Sequence, residues 1–563
     1  MKFSYSYDHY YVWDEITALV EQYAQQYPQL CRLSSMAKTQ ENRDIWLLEV
    51  TNTATGSFED KPGYCATANI HAGEVTGSMV VMAFMDYVFT NLDTDEVKEI
   101  LDHYTLYFIP RISPDGSEYY LTTAGMCRSL NQMFPFNEIK EGIQEQDIDG
   151  DGKIHMMRVK SPCGAWKAST VDDRCMVRRR PDDTEGTFYN IYREGMIEID
   201  PGTQLMAAPN KYGADFNRCF PCGWKPEGKQ KGAGQYPLQN VETRNMAEFL
   251  KAHPNLVSLI TFHTMGGVYL YPPASFHSKE APAEDMNRYK KIAAMATEET
   301  GFPAVNICDG YIGSGMSSTI NGSFSDYAFL GTGVMAMECE CWDIDARVGS
   351  TLSFPPKPIE KTDTFTEQRA LNVVRWLDEN TGGEGYRRWE KFDHPQLGEV
   401  ELGGLDFKFV IQNPPCKFLF EEVEKHVRFI RRHVKALPHL VFEKVDVQKI
   451  EGNTYKVTAQ VTNTGYLPTY GTKMAETLKT AAPLTMTLSG DVEMVSGKPK
   501  QNIGHLIGYS GISTAYARAY IETTQHAPFT KAVSWIVSGA EGTKLTITCA
   551  APKAGKVSAE VQL

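Results

Sequence analysis

A chain of 563 residues, 42% hydrophobic and 22% charged, has an ordinary globular composition and enough length for two or more domains. Lys+Arg 56 against Asp+Glu 70 leaves a net charge of −14 with no basic tract, which speaks against nucleic acid or an anionic membrane surface as a partner. No apolar run approaches the ~20 residues of a membrane helix, and the opening MKFSYSYDHYYVWDEI lacks the apolar stretch of a signal peptide.

The expected location is therefore the cytoplasm for the chain as written, or outside the cell if a leader has been removed. The twelve cysteines are scattered, as reduced thiols would be. The pattern leaves the oligomeric state open.

In chain order, a helix is predicted over Trp13 to Tyr27. Strands are predicted at Leu30–Ser34, Asp44–Thr51, Tyr64–Ile70, Tyr104–Ile109, Leu256–Phe262 and Val334–Cys341, several as near-continuous apolar runs. Helices are predicted between them at Gly77–Thr90, Val241–Lys251 and Ala283–Thr300. This alternation predicts an α/β fold with a doubly wound, mixed sheet, whose sites form at strand ends. The stretch from about Arg128 to Gly213 is rich in Asp, Gly, Pro and Arg and reads as an inserted loop system.

The character changes after about Gly382. Val423, Val427, Ile430, Val434 and Leu437 share one helical face. Beyond Pro438 the alternation of Tyr455, Val457, Ala459 and Val461, then of Leu545, Ile547 and Cys549, reads as a small β-sandwich. The expected organisation is a catalytic domain over 1–385 with the insertion at 128–213, a linker with an amphipathic helix over 386–438, and the sandwich over 439–563.

The chemistry starts at His71-Ala72-Gly73-Glu74, where an apolar run gives way to a helix-like one. A His and a Glu three apart at a strand end can reach one metal ion. Catalytic zinc takes three protein ligands and keeps one open position. His263, at the end of the run Leu256–Phe262, sits at the matching strand end and supplies the third. A second copy of the pattern, His277-Ser278-Lys279-Glu280, follows no buried strand and reads as accidental. Cys219 and Cys222 form a CxxC without the second pair that a zinc knuckle needs.

Together with Ser113-Pro114-Asp115-Gly116, Asp215-Phe216-Asn217-Arg218 and Glu340, these residues make the chain resemble the zinc carboxypeptidases of the M14 type over roughly residues 5 to 380. The family pattern is H-x-x-E after a strand, an N-P-D-G turn, an N-R dipeptide, a strand-end His and a late Glu, in that order. The resemblance implies zinc on His71, Glu74 and His263, with Asp215 fixing the ring of His71. It implies Glu340 as general base, Arg128 as the cation for the developing oxyanion, and Asn217 and Arg218 as the clamp on a substrate's free C-terminal carboxylate. Glu338 lies two residues before Glu340 and so on the same strand face, where the resemblance implies that it lines the specificity pocket.

The sequence departs from the family in places. Simple spacing puts Ser318 at the position of the substrate-capping tyrosine, with Tyr311 as the substitute. Gly73 replaces a residue that is polar in many relatives. Ser325, before Asp326, stands where the terminal side chain is often selected, and being neutral it leaves that preference open.

Asp147, Asp149 and Asp151, followed by Gly152, match the first half of a calcium-binding loop, although Arg158 stands where a bidentate Glu is expected. A structural Ca²⁺ site and a plain Asp-Gly turn are the two readings. The leading functional expectation is a zinc carboxypeptidase acting on peptides. Beside it stand a peptidoglycan-peptide or isopeptide hydrolase of the same fold, a catalytically silent binding protein, and a calcium-dependent adhesion module.

Overall fold

The apolar runs become the strands of one sheet. The computed structural model describes residues 1–563 except 203, 313–318, 351–353, 355–361, 512, 519–520 and 527–528. Its central strands are β1 (Cys31–Lys38), β2 (Asp44–Val50), β3 (Gly63–Ala68), β4 (Thr105–Ile109), β5 (Leu256–Thr264), β6 (Val268–Tyr271), β7 (Ala304–Asn306) and β8 (Met335–Cys341). They lie in the order β1-β2-β4-β3-β5-β8-β6-β7. The middle four, β4, β3, β5 and β8, run parallel, and antiparallel neighbours flank them.

All residues of β3, β4 and β5 are buried, as strands covered on both faces require. Side chains of successive residues alternate between two cores. Tyr64, Ala66, Ile260, Phe262, Met337 and Cys339 face one cluster, and Cys65, Leu259 and Ala336 face the other.

The principal helices are α1 (Trp13–Gln26), α2 (Val75–Thr90), α3 (Val241–Ala252), α4 (Ala283–Thr300), α5 (Asp363–Thr381) and α6 (Cys416–Val434). Residues of α1, α2, α4 and α6 fill the first core, and Met246, Phe249 and Leu250 of α3 fill the second. Helix α2 lies close on β5 because position 77 is glycine. A Cβ there would stand 2.8 Å from the Cβ of Phe262 and 2.9 Å from its carbonyl oxygen.

The structure adds strands to two parts of the expected organisation. The insertion at 128–213 is not only loops, and 386–438 is not only a linker. Strand Tyr386–His394 pairs with Gly398–Leu405, which pairs with Met156–Lys160, which pairs with Tyr189–Arg193, and Trp166–Ala168 and Met176–Arg178 complete this six-stranded sheet. The sequence hid it because the strands inside the insertion are only three to five residues long, and Met156–Lys160 meets its second partner, Gly398–Leu405, only far down the chain.

Helix α6 turns its apolar face inward as predicted, and Val423, Val427, Ile430 and Val434 are fully buried against α2 and α4. The buried ring of His433 accepts and donates between Tyr64 Oη and Ser258 Oγ, each 3.0 Å away. Burial pushes this imidazole down to about 3, so it stays neutral.

Past Pro438, two four-stranded antiparallel sheets bury one core around Trp535, Val457, Met486 and Ile547. Asp285 of α4 accepts from the amides of Lys473 and Met474 at 2.7 and 3.0 Å, which ties this region to the central sheet.

Because α6 is core to the central sheet, Ile430→Ala is expected to cost about 2–5 kcal/mol of stability. Urea unfolding followed by fluorescence checks this. Loss confined to the C-terminal sandwich would contradict the packing described here.

Candidate metal centre and active site

The parallel strands β3, β5 and β8 deliver their C-terminal ends to one edge of the sheet. His71 follows β3 by three residues, His263 lies near the end of β5, and Glu340 near the end of β8. The register places Glu340 directly opposite His263 on the neighbouring strand. Glu74 is the residue immediately before α2, so the helix start holds it in place.

His71 Nδ1 lies 2.8 Å from Glu74 Oε1, His263 Nδ1 lies 2.9 Å from Glu74 Oε2, and the two Nδ1 atoms lie 3.2 Å apart. All three side chains are buried. Ligand atoms about 2.0–2.2 Å from a tetrahedral zinc lie roughly 3.3 Å from one another. Two imidazoles and a carboxylate at these separations fit zinc, and they leave room for a fourth ligand.

Around them sits a charged frame. His71 Nε2 lies 3.0 Å from Asp215 Oδ1, the arrangement that fixes which ring nitrogen faces a metal. Arg128 donates from Nε to Asp215 Oδ2 at 3.0 Å and from Nη1 to Glu74 Oε1 at 3.2 Å. Burial alone would raise the carboxyls of Glu74 and Asp215. For Glu74 the two histidines outweigh burial, and for Asp215 Arg128 leads Arg218 and His71, so both carboxyls are held well below the usual range. Burial would lower His263, but the charge of Glu74 and its hydrogen bond raise it to about 9. Glu340 is pushed up to about 8 by burial and then by the charge of Glu74.

The structure brings Asn217 and Arg218 to the same place. Asn217 is buried, and its Oδ1 accepts from the amide of Phe324 at 2.7 Å, so its Nδ2 is the group left to meet a ligand. Arg218 Nη1 donates to the carbonyl of Asn217 at 2.8 Å. Tyr311 Oη lies 3.3 Å from Glu340 Oε1, and the charge of Glu340 holds its phenol well above the ordinary value. Ser318 falls outside the described residues.

Ser325 and Asp326 are both buried. Asp326 is occupied by the amides of Ala274 and Ser275 and by Ser275 Oγ. Gly73 is explained by crowding, since a Cβ there would stand 2.6 Å from Tyr120 Cε2 and 2.8 Å from Gln412 Oε1.

Other motifs fall away from this centre. His277 is exposed and paired with Asp309 at 2.8 Å, so the second His-to-Glu pattern builds no site with Glu280. Cys219 and Cys222 are ordinary thiols pushed up by burial to about 12 and about 11. The calcium expectation finds no support. Asp147 accepts from the amides of Gly150 and Gly152 at 2.7 and 2.8 Å. Arg387 supplies the cation for Asp149 and Asp151, and Asp151 also pairs with His155 at 2.7 Å. Nearby Glu194 is taken by the amides of Ile148 and His155. Arg158 turns away to Glu401 and stacks on Tyr189 and Trp389. The loop is the polar Asp-Gly turn of the alternative reading.

One contributor escaped the sequence. Asn413 donates from Nδ2 to the carbonyl of Gly73 at 2.8 Å, and its Oδ1 accepts from Thr76 N at 3.1 Å and Thr76 Oγ1 at 2.8 Å. It fastens the His71–Glu74 loop to α2 from a stretch expected to be a linker. The Asn413-Pro414-Pro415 run marks a rigid segment, but nothing in it points at residue 73.

Asp215→Asn is expected to weaken zinc binding about 10- to 100-fold, read by competition with a chelator. His263, held at about 9 by Glu74, must lose its proton to take a metal. Zinc affinity should therefore rise with pH up to about 9 and binding should release a proton, which calorimetry in buffers of different ionisation enthalpy measures. A pH-independent affinity would refute the assignment of His263 as a ligand.

Comparison with known proteins supplies the family. The profile of the family described as zinc carboxypeptidase matches residues 16–368, and a profile described as a domain of unknown function matches residues 439–562. Human carboxypeptidase D is 25% identical over 152 residues, which is 25% of this chain and 11% of that protein. A zinc carboxypeptidase from Saccharothrix mutabilis subsp. capreolus is 30% identical over 128 residues, 23% of this chain and 29% of that one. The matched stretches thus span less than a third of these curated relatives. The crystal structure of thrombin activatable fibrinolysis inhibitor superposes with a TM-score of 0.39 at 15% identity, over 66% of this chain and 76% of that one. With more than half of its length matched by the family profile, and with this order of residues at the sheet edge, the chain belongs to the M14 zinc carboxypeptidase family.

Proposed function

We propose that this chain is a zinc-dependent metallocarboxypeptidase that hydrolyses the last peptide bond of substrates with a free C-terminal carboxylate. The observation that carries the reading is the pairing of a buried three-ligand set with Glu340, one strand away in register with His263, whose Oε2 is buried and has no partner. A silent binding protein would have no use for an unpartnered carboxylate beside its metal ligands.

His71, Glu74 and His263 would hold zinc, which would supply a Lewis acid for the scissile carbonyl and for an attacking water. Glu340 takes the proton of the attacking water at its free Oε2 and passes it to the departing amine nitrogen. Burial and the charge of Glu74 both favour the protonated form of this carboxyl, which suits a group that takes a proton and hands it on. Arg128, braced by Asp215 and Glu74, keeps Nη2 outside those two bonds for the oxyanion that forms on the carbonyl. Asn217 Nδ2 and the guanidinium of Arg218 receive the terminal carboxylate. Tyr311, already on Glu340, can donate to the substrate from the open side.

Glu340→Gln is expected to keep its zinc and lose turnover by roughly 10²- to 10⁴-fold. A mixed peptide pool incubated with each protein and read by mass spectrometry checks it. Release of single C-terminal residues by the native chain supports the reading. Internal cleavage, or turnover that survives the substitution, would end it.

A further inference from the structure

On the face of the sheet that faces α3, the residues of β3, β5 and β8 form rows across the strands. The first row, Cys65, Leu259 and Ala336, is apolar and belongs to the core. The last row holds His263 and Glu340. Between them lies the row Thr67, Thr261 and Glu338, paired in register across the three strands.

Each member of this middle row is buried, and each carries a side-chain oxygen without a hydrogen-bond partner: Thr67 Oγ1, Thr261 Oγ1 and Glu338 Oε1. Ser325 Oγ, on the short helix Phe324–Asp326 that packs against β8, is a fourth such atom. The preceding residue of that helix, Phe324, is the one bonded to Asn217. The charge of Glu338 also reaches this helix, where it adds to the burial that raises Asp326.

A folded protein leaves few buried polar atoms unpaired, because each costs about 1–3 kcal/mol and more when charged. Four such atoms, three in register across β3, β5 and β8 and the fourth on the helix packed against β8 beside Asn217, are groups that a polar part of a ligand would satisfy. Among the described residues no Lys, Arg or His nitrogen lies within ion-pair distance of Glu338, whereas Glu74 and Asp215 at the same sheet edge each have one, and Asp326, which also lacks one, is satisfied by two amides and a hydroxyl. A missing cation, flanked by hydroxyl acceptors, is what a substrate ammonium or guanidinium would supply.

We propose that Glu338 selects the residue to be released, and that this residue carries a cationic side chain, Lys or Arg, seated on Glu338 with Thr261 and Ser325 as hydrogen-bond acceptors. This rests on the carboxypeptidase reading for the position of the terminal carboxylate. It assigns the selectivity that neutral Ser325 left open to a residue on the strand instead of on the helix. The pocket discriminates because a neutral side chain would leave the carboxylate buried and unpaired.

The test separates binding from turnover. Zinc-loaded Glu340→Gln protein should bind a peptide ending in Lys at least about 10-fold more tightly than the same peptide ending in Leu, by calorimetry. Adding Glu338→Gln should erase the difference, and Glu338→Asp should retain part of it. With the native chain, kcat/KM should favour Lys or Arg over Leu by roughly 100-fold, and this ratio should collapse in Glu338→Gln. Equal affinity for the two peptides overturns the proposal whatever the native chain does. Release of Leu as fast as Lys overturns it too, and leaves the carboxypeptidase reading standing. Preferential binding of the Lys peptide without any release sinks that reading and keeps the role of Glu338. Glu338→Asp, closest in shape and charge, guards against a variant that fails to fold, with melting temperature as the control.

Discussion

Four carboxyl groups, those of Glu74, Asp215, Glu338 and Glu340, are gathered at one sheet edge with too little positive charge to balance them. Arg128 serves two and the histidines lean on the same two. Like charges in a buried place cannot all ionise, so the group must recruit protons or cations. The upward push on Glu340 and His263 is one sign of that deficit, and the solitary state of Glu338 is another. The zinc that the family implies would answer it on His71, Glu74 and His263, and a cationic substrate group is proposed to answer it at Glu338.

The fold makes this crowding tolerable through rigidity. Glu338 and Glu340 lie two residues apart on β8, Glu74 is fixed at the start of α2, and the apolar cores above and below the sheet keep these elements from drifting apart. The loop that carries His71 and Glu74 has no regular structure of its own. It is held by Tyr120, Gln412 and Asn413 on one side and by α2 on the other. Strain from misplaced charge therefore has no soft element to relax into, and ligand binding is the remaining outlet.

Much of this was legible in the residues. Apolar runs ending in His71, His263 and Glu340 gave away both the parallel sheet and the edge where chemistry gathers, because a buried strand and a polar group at its end are local signals. The face of α6 was legible for the same reason, since its period of apolar residues is written in 19 consecutive positions. The second sheet was not, because Met156–Lys160 finds its partner Gly398–Leu405 only in the folded chain. Asn413 was hidden likewise, as a single polar residue among prolines has no pattern. Asp147–Gly152 misled in the other direction. Its spacing matches a metal loop, and only the fold brings Arg387 to its carboxylates. Glu338 was placed on the correct face by counting, but its lack of a partner is a property of three-dimensional surroundings alone.

The reach of Asn413 back to Gly73 has a consequence in time. The two residues are 340 positions apart, and a ribosome adds about 5–20 residues per second. The histidine and glutamate of the loop therefore leave the ribosome roughly 20–70 seconds before the residue that fastens them exists, and α6, which completes the core beneath them, arrives later still. During that interval the loop has its own helix and the bonds from Asn69 and Arg128, but not the one from Asn413. A nascent polypeptide halted anywhere before residue 413 therefore carries His71 and Glu74 without the side chain that fastens the loop between them to α2.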